Sequence, residues 1–181
     1  MRMKRLVCIF LFVAVSCVFP GAAWTAQPKS LEDLLAERSA NVWIDGQVLG
    51  ELVLGAKARL TFIYVDPALA TAARNDPGSP EWLTWHSRHL GEKYLKGRNL
   101  FILRFETFTP WELIPGKLFV GNYNVLSEDV LSLKEFTPTG ELPSGFAGTL
   151  PFSVPKTELK PGAEVALGYE KEAVKWKVPG K

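Results

Sequence analysis

From Val42 onward the apolar residues of this chain recur at every second position, and that period limits the fold more than any other feature. Between Lys57 and Val65, Ala58, Leu60, Phe62 and Tyr64 share one phase, and Lys57, Arg59 and Thr61 share the other. From Leu100 to Phe108, Phe101, Leu103 and Phe105 oppose Arg104 and Glu106. Phe146, Leu150, Phe152 and Val154 fall on a further face. Val165, Leu167 and Tyr169 precede the turn-like Glu170-Lys171-Glu172, after which Val174, Trp176 and Val178 alternate with Lys175 and Lys177. Successive side chains of a strand point to opposite faces, so each segment should turn one side to a core and the other to water. Short strands of this kind, separated by Pro and Gly, predict a two-sheet β-sandwich of about seven or eight strands. Pro151 cannot donate to a ladder, which places its strand at an edge or a bulge.

The segment Leu159-Lys160-Pro161-Gly162 resembles the corner that leads into strand F of fibronectin type III and immunoglobulin-like sandwiches. The resemblance implies an all-β, immunoglobulin/fibronectin-like sandwich. The chain departs from the motif at Val165, where the corner tyrosine and its hydroxyl hydrogen bond would stand. Such a likeness concerns fold and says nothing about function.

The N-terminus reads as a targeting segment. Arg2, Lys4 and Arg5 precede an unbroken apolar run of ten residues, Leu6 to Val15, half of what a membrane-spanning helix needs. Pro20 breaks any helix, and Gly21-Ala22-Ala23 offers small residues for cleavage after Ala23, so residues 1–23 are expected to be a secretory signal. Ala14-Val15-Ser16-Cys17 resembles a bacterial lipobox, although Ala14 replaces the usual Leu and Val18-Phe19 the usual polar start. The alternative processing would lipidate Cys17 and anchor the protein to a membrane. The expected location is therefore periplasmic or extracellular, with a lipid-anchored form as the second route.

Cleavage after Ala23 would leave 158 residues, enough for one core. It would remove 3 of the 21 basic residues and none of the 19 acidic ones, turning a net charge of +2 into −1. A near-neutral domain without a basic cluster has no electrostatic reason to hold nucleic acid or an anionic membrane surface. Both cysteines, Cys8 and Cys17, precede the cut, so disulfides, thiolate metal sites and cysteine nucleophiles are excluded from the mature domain.

The expected organisation is a lead-in over 24–40, then one sandwich domain over 41–181 with a helical insertion at 66–98. In the lead-in, Ser30 can cap a short helix with Glu32 and Asp33 in its first turn and Leu31, Leu34 and Leu35 on one face. In the insertion, Ser79-Pro80-Glu81 is a helix start and Gly97 a stop, predicting helix mainly over 30–39 and 79–96. A loop of this length in a small domain is usually functional, and this one holds both histidines.

His86 and His89, three apart, would share a helix face with Glu92 a further three along, a donor set suited to Zn²⁺. The competing reading packs the histidines beside Trp82 and Trp85, with Arg88 and Glu92 in water, and needs no cofactor. Six tryptophans also raise carbohydrate stacking, with Trp43, Trp82, Trp85 and Trp111 as platforms and Arg88 beside them. Trp176 alternates with valines and reads as core, and Trp24 belongs to the lead-in. There is no nucleophile elbow, P-loop, dinucleotide turn or H-E-x-x-H motif. The acid pair Glu128-Asp129 reads as solvated charge. Three classes of function remain. The leading one is a non-enzymatic envelope or secreted module that binds another envelope or secreted protein along a sandwich edge or the inserted loop. A glycan-binding module and a metal-dependent enzyme or carrier follow it.

Overall fold

The computed structural model describes residues 29–132 and 137–180, so the signal segment, Cys17 and Trp24 lie outside the described residues. Every strand pairing within them is antiparallel. One four-stranded sheet has the order β1-β4-β5-β10, formed by Ser39–Ile44, Ala58–Val65, Arg98–Thr107 and Ala147–Pro155. A second has the order β12-β11-β7-β8, formed by Glu172–Lys177, Glu164–Tyr169, Leu118–Val120 and Tyr123–Asn124. Two small ribbons complete the β-structure, β2 (Gln47–Leu49) with β3 (Leu52–Leu54), and β6 (Trp111–Leu113) with β9 (Gly140–Leu142). The chain is thus an all-β antiparallel sandwich with a few helices.

The alternating phases read from the sequence are the ones that meet between the sheets. Leu60, Phe62, Phe101, Leu103, Phe105, Leu150, Phe152 and Val154 from the first sheet share one core with Leu118, Val120, Leu167, Tyr169 and Trp176 from the second. Trp176 is buried and its indole N–H donates to the Glu37 carbonyl at 3.2 Å. Pro151 lies on the edge strand β10, where its missing N–H costs no ladder bond.

The opposite face of the first sheet departs from the expectation of a solvated side. Ile63, Val65, Leu100 and Ile102 are buried there beneath Leu34, Leu69, Ala70, Ala73 and Leu83. Those residues come from α1 (Leu31–Arg38), α2 (Pro67–Asn75) and α3 (Glu81–Ser87). β4 and β5 are therefore apolar on both faces near one end, and the alternation that is clear at Arg59 and Arg104 fails at Ile63 and Ile102. α2 lies outside the predicted helical spans, although Asp66 caps it and Pro67 occupies its first turn. Asp66 accepts from Leu69 N at 2.8 Å and from Arg38 at 2.8 Å, so one carboxylate caps α2 and ties it to α1. α1 starts as expected: Ser30 Oγ accepts from Asp33 N at 3.1 Å and the Asp33 carboxylate accepts from Ser30 N at 3.3 Å.

A second departure concerns Asp129. It is only 4% exposed and sits in the turn Ser127–Asp129, where it pairs with Arg98 and accepts from Tyr123 Oη at 2.7 Å and Leu126 N at 2.8 Å. It is a buried anchor between the sheets, not solvated charge.

Candidate functional site

α3 carries Trp82, Trp85 and His86, and its inward residues Leu83 and Ser87 dock it on the first sheet. The helix starts at Glu81, without a side-chain cap from Ser79, and ends at Ser87, shorter than the predicted 79–96. His89 and Glu92 consequently lie in the turns that follow, where Glu92 N donates to the His89 carbonyl at 3.1 Å. Even so, the imidazoles of His86 and His89 are nearly parallel, with centroids 6.4 Å apart. His86 Nε2 shares a hydrogen bond with Thr149 Oγ1 at 2.9 Å, and His89 Nδ1 with Tyr94 Oη at 2.5 Å. Together with Trp85, Leu131, Ser132, Pro138 and Thr149, both rings line a cleft of about 690 Å³. A larger groove of about 1220 Å³ lies elsewhere, between α1, α2 and the C-terminal residues, and contains neither histidine.

Burial pushes the His86 imidazole down to about 4, reinforced by the neighbouring His89, while burial lowers His89 against the opposing pull of Glu92. A ring so depressed is neutral at pH 7 and too weak a base to take a proton efficiently there. Among the described residues the buried His86 Nδ1 has no hydrogen-bond partner. Glu92 is exposed, and among the described residues no three His, Cys, Asp or Glu side chains converge on a point a metal ion could occupy. The depressed ring has a consequence for stability. Above pH 6.5 both folded and unfolded His86 are neutral; between 6.5 and about 4 only the unfolded chain takes the proton, so stability falls as pH drops through that window. Solvent at the half-buried ring screens the effect, and the expected loss is about 1 kcal/mol. Urea midpoints at pH 7 and pH 4.5 should fall further for the native chain than for His86→Gln. An equal fall in both chains would remove His86 as the source.

The candidate aromatic platforms separate by burial. Trp82 packs on the first sheet with the Arg104 guanidinium 5.8 Å from its ring. Trp43 stacks on Phe108 at 6.1 Å, and Trp111 meets Tyr169 edge-on at 5.0 Å. Trp85 alone of these four is exposed, at 59%, with Arg88 lying over its ring at 5.0 Å.

Among the described residues the largest group of exposed aliphatic side chains lies elsewhere, on β2 and β3. The β1–β4 ladder ends at Ile44↔Ala58, Lys57 N donates to the Ile44 carbonyl at 2.9 Å, and the two chains then continue outward as a hairpin arm. Val48, Leu49, Leu52 and Leu54 on this arm are 56%, 51%, 67% and 51% exposed. Val48 pairs with Val53, and Leu49 with Leu52, so both faces of the ribbon are aliphatic. Gly50, at φ 65°, opens the two-residue turn with Glu51, as a tight hairpin requires. A Cβ at Gly46 would stand 3.0 Å from both Val53 and Ala56, so the arm's base closes tightly on itself. The signal for the arm is present in the sequence as the apolar pair Val48-Leu49 and the apolar triplet Leu52-Val53-Leu54, punctuated by Gly46, Gly50 and Gly55. Alternation against polar residues does not detect it, because both phases are apolar.

No family model, no curated protein and no solved structure matches this chain.

Proposed function

We propose that this chain is an exported, non-enzymatic interaction module that docks on a protein partner of the cell envelope or secreted space through the β2–β3 arm. The observation that carries this reading is the arm itself: four half-exposed aliphatic side chains on a ribbon outside both large sheets, none of them part of either hydrophobic core among the described residues. Export rests on Arg2, Lys4 and Arg5, the apolar run Leu6 to Val15 and the small residues before Trp24, with lipidation of Cys17 as the anchored alternative. Among the described residues no helix is long and apolar enough to cross a membrane.

The sandwich is of the immunoglobulin-like type on this reading. β4-β5-β10 facing β12-β11-β7-β8 follows the order A-B-E facing G-F-C-C′, with β1 added at one edge and the helices α2 and α3 inserted between A and B.

The test is a photo-activated cross-linking residue placed at Leu52 in the producing cell. A discrete protein adduct is expected there, weakened by Leu49→Ser, with none from the same label at the exposed Lys175 on the outer face of β12. No adduct at Leu52 would sink the reading. The glycan alternative rests on Trp85 alone, since it is the one candidate platform open to solvent. Retention on a polysaccharide matrix that Trp85→Ala abolishes would favour it.

A further inference from the structure

We propose that the occupant of the arm is a second copy of this chain, the β3 edges of the two copies pairing antiparallel about a two-fold axis at Val53. The proposal rests on the arm being the docking surface.

Among the described residues β2 and β3 pair only with each other, so each presents an outer edge. In a two-residue hairpin the pair flanking the turn, here Leu49 and Leu52, exchanges the ladder bonds, and the next pair, Val48 and Val53, points its N–H and C=O groups outward. A two-fold axis at Val53 then lets two copies exchange both of those bonds. The side chains complement themselves under the same operation. Leu52 lies opposite the partner's Leu54, and Leu54 opposite the partner's Leu52, as an isologous contact demands. The β3 edge is aliphatic throughout, whereas β2 begins with Gln47. The antiparallel arrangement also carries Glu51 toward the other arm's base, where Lys57 pairs with Asp45 at 3.0 Å. The tight base at Gly46 and the bond from Lys57 N to the Ile44 carbonyl hold the arm in place before association, which lowers the ordering cost.

Other occupants fit less well. Glu51 at the tip would lead any insertion into a bilayer, and no aromatic residue stands on the arm to anchor it at a lipid interface. A few half-exposed aliphatic side chains make a small contact beside the ~800 Å² per partner of a stable complex, so the dimer is weak and reversible.

Sedimentation velocity on the chain from Trp24 onward, which contains every element described, should show association between about 10 μM and about 1 mM. Leu52→Thr with Leu54→Thr keeps strand propensity and should abolish it. That chain has no cysteine, so Val53→Cys should oxidise to a linked dimer, the opposed Cα atoms lying about 5.5 Å apart, and Val48→Cys should yield several-fold less. A monomer throughout the range would overturn the proposal, as would association surviving the threonine pair or equal yields from the two cysteine variants. Binding to phosphatidylcholine vesicles without self-association would overturn it in favour of a membrane. A monomer that still gives an adduct of another protein at Leu52 would refute the second copy and leave the docking surface standing.

Discussion

Asp129→Ala is expected to cost about 3 kcal/mol, the low end for breaking a buried ion pair, because the Arg98 guanidinium left behind keeps some contact with water. The carboxylate is nearly inaccessible and holds Arg98, the Tyr123 hydroxyl and the Leu126 amide together. Arg98 also donates to the Ser153 hydroxyl at 2.8 Å and to the Ser153 carbonyl at 3.0 Å. The group therefore joins β5 and β10 of one sheet to β8 of the other along their shared edge. Alanine leaves a cation, a hydroxyl and an amide without their acceptor, each with its own desolvation cost. For a domain of this size the loss corresponds to a melting temperature lower by about 10 °C. Asp129→Asn keeps an acceptor oxygen and should fall between the two. Thermal denaturation followed by circular dichroism decides the matter; a loss below about 1 kcal/mol would show that the network is not a structural anchor.

Gly168→Ala is the second large effect. A Cβ at this position would lie 2.4 Å from the Glu172 carbonyl oxygen and 2.4 Å from Phe119 Cζ. Phe119 on β7 lies across the bare Gly168 of β11, and Glu172 begins the neighbouring strand β12. A side chain can rotate away, but the backbone oxygen belongs to a ladder and moves only by distorting it. The expected cost is about 3 kcal/mol, the upper end of overpacking effects. Gly116, with nothing within 4 Å of its would-be Cβ, is the control and should accept alanine with no measurable loss. Denaturant midpoints that coincide for the two variants would remove close packing as the reason for glycine at 168.

The inner faces of the sandwich are legible in the local order of residues. Phe62, Leu103, Phe152 and Leu167 could be assigned to the core because each sits between polar neighbours or follows a strict two-residue period, and strand geometry translates that period directly into sides. The cap of α1 was equally legible, since Ser30 and Asp33 act within one turn of chain. Where an interaction joins residues distant in sequence, local pattern carries no such information, and the outcome depends on how the elements pack. Ile63 and Ile102 are covered because α2 and α3 fold back on them, and nothing in β4 or β5 alone distinguishes that cover from water. Asp129 looked like one of two adjacent surface acids until Arg98, 31 residues away, arrived beside it. His86 drew attention through its spacing from His89 and Glu92, yet its partner is Thr149, 63 residues distant, and its depressed basicity follows from burial that no spacing encodes. The arm reverses the case: its apolar residues are plain in the sequence, but their exposure is a property of the assembled domain. Hydrophobic pattern says which residues gain from leaving water; only the packed fold says which of them have somewhere to go.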